Sequence, residues 1–160
     1  MKKKKVCDFK VLEYNNNLPT INLPGSQPYS TGIMTRLFTT DPDDVHPYCG
    51  VYFVGIMAFD PQGNKYYLVK VGSANDCEKR INQYFTYNPI IYTNNTYLHV
   101  SIENVNLAEA NCQAYLSQFA DGIARGTHEW FHMSETNYFL MCDMFKDKTT
   151  FEMIAKGEIN

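Results

Sequence analysis

Gly50-Val51-Tyr52-Phe53-Val54-Gly55-Ile56-Met57-Ala58-Phe59, then Asp60-Pro61-Gln62-Gly63-Asn64, then Lys65-Tyr66-Tyr67-Leu68-Val69-Lys70-Val71-Gly72 is the stretch on which the fold turns. Val51 to Phe59 is apolar and rich in β-formers. The next five residues carry Asp, Pro, Gly and Asn, which reverse a chain. Tyr66 to Val71 is strand-like again, so residues 50–72 read as a β-hairpin with a five-residue loop. Ser73-Ala74-Asn75-Asp76 then opens a helix, with Asn75 or Asp76 as its cap and Glu78 in the first turn. That helix runs to Tyr84 or Tyr87 and stops before Pro89, which cannot continue it.

Downstream, Tyr97 to Ile102 alternates as a third strand. Asn106 caps a longer helix, Leu107 to Ala120, with a buried stripe expected at Leu107, Ala110, Ala114 and Phe119. Gly122 and Gly126 bracket a loop, Thr127 to Met133 reads as strand or helix, and Ser134 caps a last helix ending near Phe145. Upstream, Pro19, Pro24, Gly25, Pro28, Pro42 and Pro47 break up residues 1–47. That segment reads as an extended arm with one strand at Ile33 to Thr40, wrapped over the domain because Ile33, Leu37 and Phe38 require burial. The expected organisation is an arm at 1–47, a domain at 48–146 and a C-terminal tail at 147–160. The fold class is α/β (α+β): a small, mainly antiparallel three-stranded sheet flanked by helices.

A chain of 160 residues, 44% hydrophobic and 14% aromatic, holds enough apolar surface for one core. No window approaches the roughly 18 apolar residues of a membrane span. Lys2 to Lys5 resembles the front of a signal peptide, but Asp8, Lys10 and Glu13 interrupt the apolar run such a peptide requires, so the chain reads as intracellular. Five scattered cysteines without a C-x-x-C pair fit reduced, small apolar residues. Asn94-Asn95-Thr96 is a sequon without a secretory route. The net charge of −3 opposes nucleic-acid binding, yet the charges are segregated. The acidic residues gather at Asp41-Pro42-Asp43-Asp44 and towards the C-terminal end. Lys65, Lys70, Lys79 and Arg80 lie along the hairpin and its helix.

The order hairpin, helix, strand, helix resembles the GIY-YIG nuclease superfamily, and specific residues carry the resemblance. Gly50-Val51-Tyr52 stands where that family has Gly-Ile-Tyr. Lys70-Val71-Gly72 stands at the second signature, which one phage-associated subfamily writes Lys-Ile-Gly. Arg80 follows Gly72 by eight residues, the family's spacing to its helix arginine, and Tyr84 falls one turn later. Glu129-Trp130-Phe131 matches a Glu-Trp-Phe of the same subfamily. The resemblance covers residues 50–145.

The resemblance implies divalent-metal-dependent hydrolysis of phosphodiesters, with Mg²⁺ or Mn²⁺ as cofactor and DNA favoured over RNA. Tyr52, or Tyr84, would deprotonate or position the water. A free tyrosine titrates near 10, and Lys70 and Arg80 would lower that value. Arg80 would grip the phosphate bidentately, with Lys65 and Lys79 as further nucleic-acid contacts. Lys70 and Gly72 share a strand face, and Arg80 and Tyr84 a helix face. Taken singly, a strand tyrosine is ordinarily core and a helix arginine ordinarily solvated. The sequence departs from the family at the metal. The expected glutamate position falls at Cys112 or Gln113, neither an acid, which leaves Glu109, one turn before Gln113, as the candidate ligand. Without it the chain would be a silent binding module on a nuclease fold, for nucleic acid or a protein partner, a second copy included.

His128-Glu129-Trp130-Phe131-His132 also fits H-E-x-x-H, the zinc protease pattern. On a helix, the two histidines would share a face, with Glu129 as base and Glu152 or Asp143 as third ligand. An interaction protein without chemistry would need neither constellation.

Overall fold

The computed structural model describes residues 9–21, 49–59, 62–87, 94–124 and 130–159. The hairpin forms as expected. Strand β2 (Gly50–Phe59) pairs antiparallel with β3 (Lys65–Ala74) over their full length, from Gly50↔Ala74 to Phe59↔Lys65. Helix α1 (Cys77–Tyr87) follows. Of the two cap candidates, Asp76 takes the role: its carboxylate accepts the Lys79 N–H at 3.0 Å.

The sheet is larger than the three strands expected. Six strands run in the order β1-β5-β6-β3-β2-β4, with β1 at Thr20–Ile21, β4 at Asn94–His99, β5 at Gly122–Ala124 and β6 at Trp130–Met133. The pairing is antiparallel except for β1 on β5. The added strands have two, three and four residues, too short to show a period of their own. β4 also begins three residues before the expected start at Tyr97, because Asn95 and Thr96 are buried against β2 despite their polarity.

Both faces of the hairpin are covered, which explains why β2 is apolar without alternation. On one face Val51, Phe53, Val69, Val71 and Leu98 pack with three helices, α2 (Val105–Ser117), α3 (Glu135–Lys146) and α4 (Lys148–Ala155). On the other, Tyr52, Val54, Ile56, Leu68 and Tyr97 pack with Cys77 and Ile81 of α1. Ser134 caps α3 as expected, its hydroxyl accepting from the Asn137 N–H.

Two expectations need correction. The buried stripe of α2 includes Ala114 as expected, but its other apolar members are Val105, Ala108, Cys112, Tyr115 and Leu116, whereas Ala110 is exposed and Leu107 and Phe119 only partly covered. The helix starts two residues earlier than expected, at Val105. Residues 148–155, read as tail, are helix α4, with Phe151 and Ile154 fully buried. Phe145 stacks on Phe53 (centroids 4.7 Å apart) and meets Phe151 edge-on (4.8 Å), so α3 and α4 share one aromatic core.

Residues 9–21, with a turn at 16–17, lie as a strap across α2 and α4. Buried Asn111 accepts the Leu12 N–H at 2.9 Å and donates to the carbonyls of Lys10 (2.6 Å) and Ala155 (3.0 Å). Ser117 accepts the Asn15 N–H at 2.8 Å, and the Lys10 N–H donates to the Lys156 carbonyl at 2.8 Å. The strand expected at Ile33 to Thr40 lies outside the described residues.

Candidate functional site

The register of the hairpin brings the two signatures together. Tyr52 sits opposite Gly72 on one side and Tyr97 on the other. Directly opposed residues share a face, so Tyr52, Gly72 and, two residues along, Lys70 line the face that α1 covers. The Tyr52 ring crosses the Gly72 α-carbon: a Cβ there would meet Oη at 2.3 Å and Cζ at 2.5 Å. Tyr52 is only 1% exposed, whereas Lys70 is half-buried beside Trp130 in the register.

Helix α1 delivers Arg80. Cys77 and Ile81 are its buried anchors, and one residue away Arg80 is exposed. With Lys79, Gln83, Asn75, Ala74 and the cap residue Asp76 it lines a cleft of about 260 Å³ at the end of β3, so two cations face one carboxylate there. Burial, together with Cys49 and Asp76 nearby, pushes the Cys77 thiol up to about 12, and the charge of Arg80 opposes that rise. The thiol is a packing group at neutral pH. Tyr84 lies on α1 one turn beyond Arg80.

Helix α2 approaches the same end of β3 from the opposite face. Ser73 donates to Glu109 Oε1 at 2.5 Å, and Gln113 donates to Glu109 Oε2 at 3.0 Å and to the Val71 carbonyl at 3.1 Å. Each carboxylate oxygen therefore has one donor, and the carboxylate is fixed at the residue that follows Gly72. The Glu109 charge adds to burial in raising the Cys112 thiol far above its ordinary range.

Lys65 is not part of this grouping. It opens β3 at the far end, about 30 Å from Ala74 at ~3.3 Å per residue, and pairs with Glu135 at 3.8 Å. The H-E-x-x-H reading fails on conformation. Trp130 to Met133 is a strand, so the i, i+4 helical face it needs does not form; His128 and Glu129 lie outside the described residues. Of the proposed third ligands, Asp143 pairs with Lys146 and Glu152 with Lys156, both at 3.0 Å. Among the described residues no three His, Cys, Asp or Glu side chains group to hold a metal. His132 instead stacks on Tyr66 (centroids 5.7 Å, planes at 6°).

Sequence reasoning missed Ser73 and assigned Gln113 no task beyond not being an acid. Their bonds to Glu109 link β3 to a helix 36 residues downstream, a contact that local pattern does not announce.

Among the described residues no helix is long and apolar enough to cross a membrane. No curated protein and no solved structure matches the chain. Residues 51–145, more than half of the chain, match the T5orf172 domain, a phage-associated domain often found in nuclease-like proteins. From Val51 in the first strand of the hairpin to Phe145 near the end of α3, the match takes in Tyr52, Lys70 to Gly72, Arg80 and Glu109, and the chain belongs to the T5orf172 family.

Proposed function

We propose that the protein is a divalent-metal-dependent nuclease of the GIY-YIG type, hydrolysing phosphodiesters in DNA in a phage, viral or mobile-element setting. Membership of a phage-associated, often nuclease-like family supports this reading. The observation that carries it is Glu109, an acid one turn from the expected position, held by Ser73 and Gln113 at the same end of β3 as Gly72, on the opposite face of the sheet.

In this reading Arg80 and Lys79 hold the scissile phosphate in the cleft above α1, the guanidinium by paired N–H bonds. Lys70 supplies positive charge on the Tyr52 face and favours the phenolate. The Tyr52 hydroxyl, directed over Gly72, or that of Tyr84, orients the attacking water. Glu109 is the residue that would hold Mg²⁺ or Mn²⁺. One carboxylate fits such an ion, because Mg²⁺ commonly binds through one or two carboxylates, with water and substrate phosphates filling the rest. The chemistry an ion supplies there is neutralisation of charge on the phosphoryl oxygens. Ser73 and Gln113 keep the carboxylate aimed.

A second reading, a nucleic-acid-binding module without hydrolysis, has two observations in its favour. Tyr52 is 1% exposed, and neither Cys112 nor Gln113 is an acid where the GIY-YIG resemblance places one. Cleavage of labelled single-stranded and duplex DNA with Mg²⁺ or Mn²⁺ separates the two. Cleavage lost in Arg80→Ala and Glu109→Gln supports the nuclease. Binding without cleavage by the folded wild-type protein, with RNA also left intact, selects the module.

A further inference from the structure

A cavity of about 320 Å³ opens where β4 passes towards α2, between that turn, the strap and α4. Its lining is two-natured. Phe9, Leu98 and Val100 give it an apolar floor, and Lys148 and Glu152 of α4, with Lys156 at the helix C-cap and His99, line its rim. Lys148, Glu152 and Lys156 repeat at four-residue spacing and so share one helix face. Glu152 pairs with Lys156 at 3.0 Å. Lys148 is exposed, with no ion-pair partner among the described residues. The rim is therefore net positive on a chain whose net charge is −3.

The position of this cavity gives it meaning. His99 is the register partner of Gly50, and Gly50 is the partner of Ala74. His99 lines the cavity and Ala74 lines the Arg80 cleft. Two strand spacings separate those residues, about 10 Å. Between them stands only a glycine, where a Cβ would overlap the Leu98 carbonyl oxygen. Both hollows thus lie at one end of the sheet, the Arg80 cleft on the side that α1 covers and the cavity on the side that α4 covers.

We infer that the cavity receives an unstacked nucleotide of the strand whose phosphate the Arg80 cleft holds. The base lies on the apolar floor formed by Phe9, Leu98 and Val100, and its phosphate meets Lys148 and Lys156. A volume of about 320 Å³ is at the small end for ligand pockets and takes one base, not a base pair. The substrate is accordingly single-stranded or frayed at that point, and stacked duplex does not fill the cavity. Ser101 and Asn104 also line the cavity, where Asn104 donates to the Ser101 hydroxyl at 3.3 Å; the base contact itself is apolar, so the subsite discriminates weakly between bases. This inference rests on the nucleic-acid reading above. It adds a second contact from α4 and the strap, both outside the matched residues 51–145.

The test is binding of a short labelled oligothymidylate and of a blunt hairpin duplex, by fluorescence anisotropy across a salt series. It compares wild type, Lys148→Glu and Arg80→Ala. Lys148 is exposed at the first turn of α4, where an acid suits the helix dipole, so the reversal leaves the fold intact; a thermal melt checks this. Lys148→Glu is expected to weaken single-strand binding about tenfold and lower the salt slope by ~0.7, the contribution of one phosphate. Duplex binding should barely change. Thymidine 5′-monophosphate should also shift the amide resonances of His99 and Val100 in wild type but not in Lys148→Glu. If Arg80→Ala weakens binding while Lys148→Glu does not, the inference falls and the nuclease reading stands. If wild type binds neither oligonucleotide nor the monophosphate, both fall.

Discussion

The Tyr52 ring occupies the space that a side chain on Gly72 would need. A Cβ at Gly72 would lie 2.3 Å from the phenolic oxygen, closer than any real contact. The glycine of the second signature is therefore required by the tyrosine of the first. Gly72→Ala should push the ring aside in a packed layer, at a cost of about 1–3 kcal/mol. Urea denaturation measures it. In the double variant with Tyr52→Ala most of that cost should vanish, since the three nearest atoms to such a Cβ all belong to the Tyr52 ring.

Gln113 ties the Glu109 carboxylate to the Val71 carbonyl. Gln113→Ala should cost about 1 kcal/mol of stability. If Glu109 holds the metal, cleavage should fall more than DNA binding does, since the aim of the carboxylate is lost and Arg80 is untouched. Equal loss of both would place Gln113 in substrate binding instead.

Asn111 is 1% exposed and serves three backbone groups of the strap and α4. Asn111→Leu leaves buried N–H and C=O groups without partners, each costing about 1–3 kcal/mol. The expected result is a large fall in the denaturation midpoint. Residues 9–18 should also become sensitive to protease under conditions where the wild-type strap resists.

Burial beside the Tyr66 ring lowers the His132 pKa below its ordinary 6.5, and the Asp121 carboxylate only partly opposes this. The folded protein thus favours the neutral ring more than the unfolded chain does. The resulting stability is present above pH 6.5, diminishes as pH falls below it, and is fully lost once pH drops through the folded value. Unfolding free energy should therefore decline on acidification with a steeper slope in wild type than in His132→Leu. Equal slopes would show that His132 does not carry the dependence.

How much of this was legible depends on range. The hairpin could be read because its turn residues lie within it, and Ser134 could be read because a cap acts three residues away. The face of α2 could not. Buried Asn111 and Ser117 look like surface residues until the strap supplies their backbone partners. Helix α4 was hidden by Thr149 and Thr150, which resemble loop, although Phe151 and Ile154 anchor it in the core. At the site, spacing was enough to put Lys70 and Gly72 on one face. The approach of Glu109 to Ser73 is tertiary, and no local period encodes it.

The shared aromatic core also bears on where the chain can be cut. The family match ends at Phe145, the ring sandwiched between Phe53 and Phe151. Truncation at that border would strip one wall from the sandwich and hand the opposite face of Phe145 to water. A fragment drawn from homology alone would then be sticky and poorly ordered, and its silence in an assay would report on its preparation and not on its chemistry.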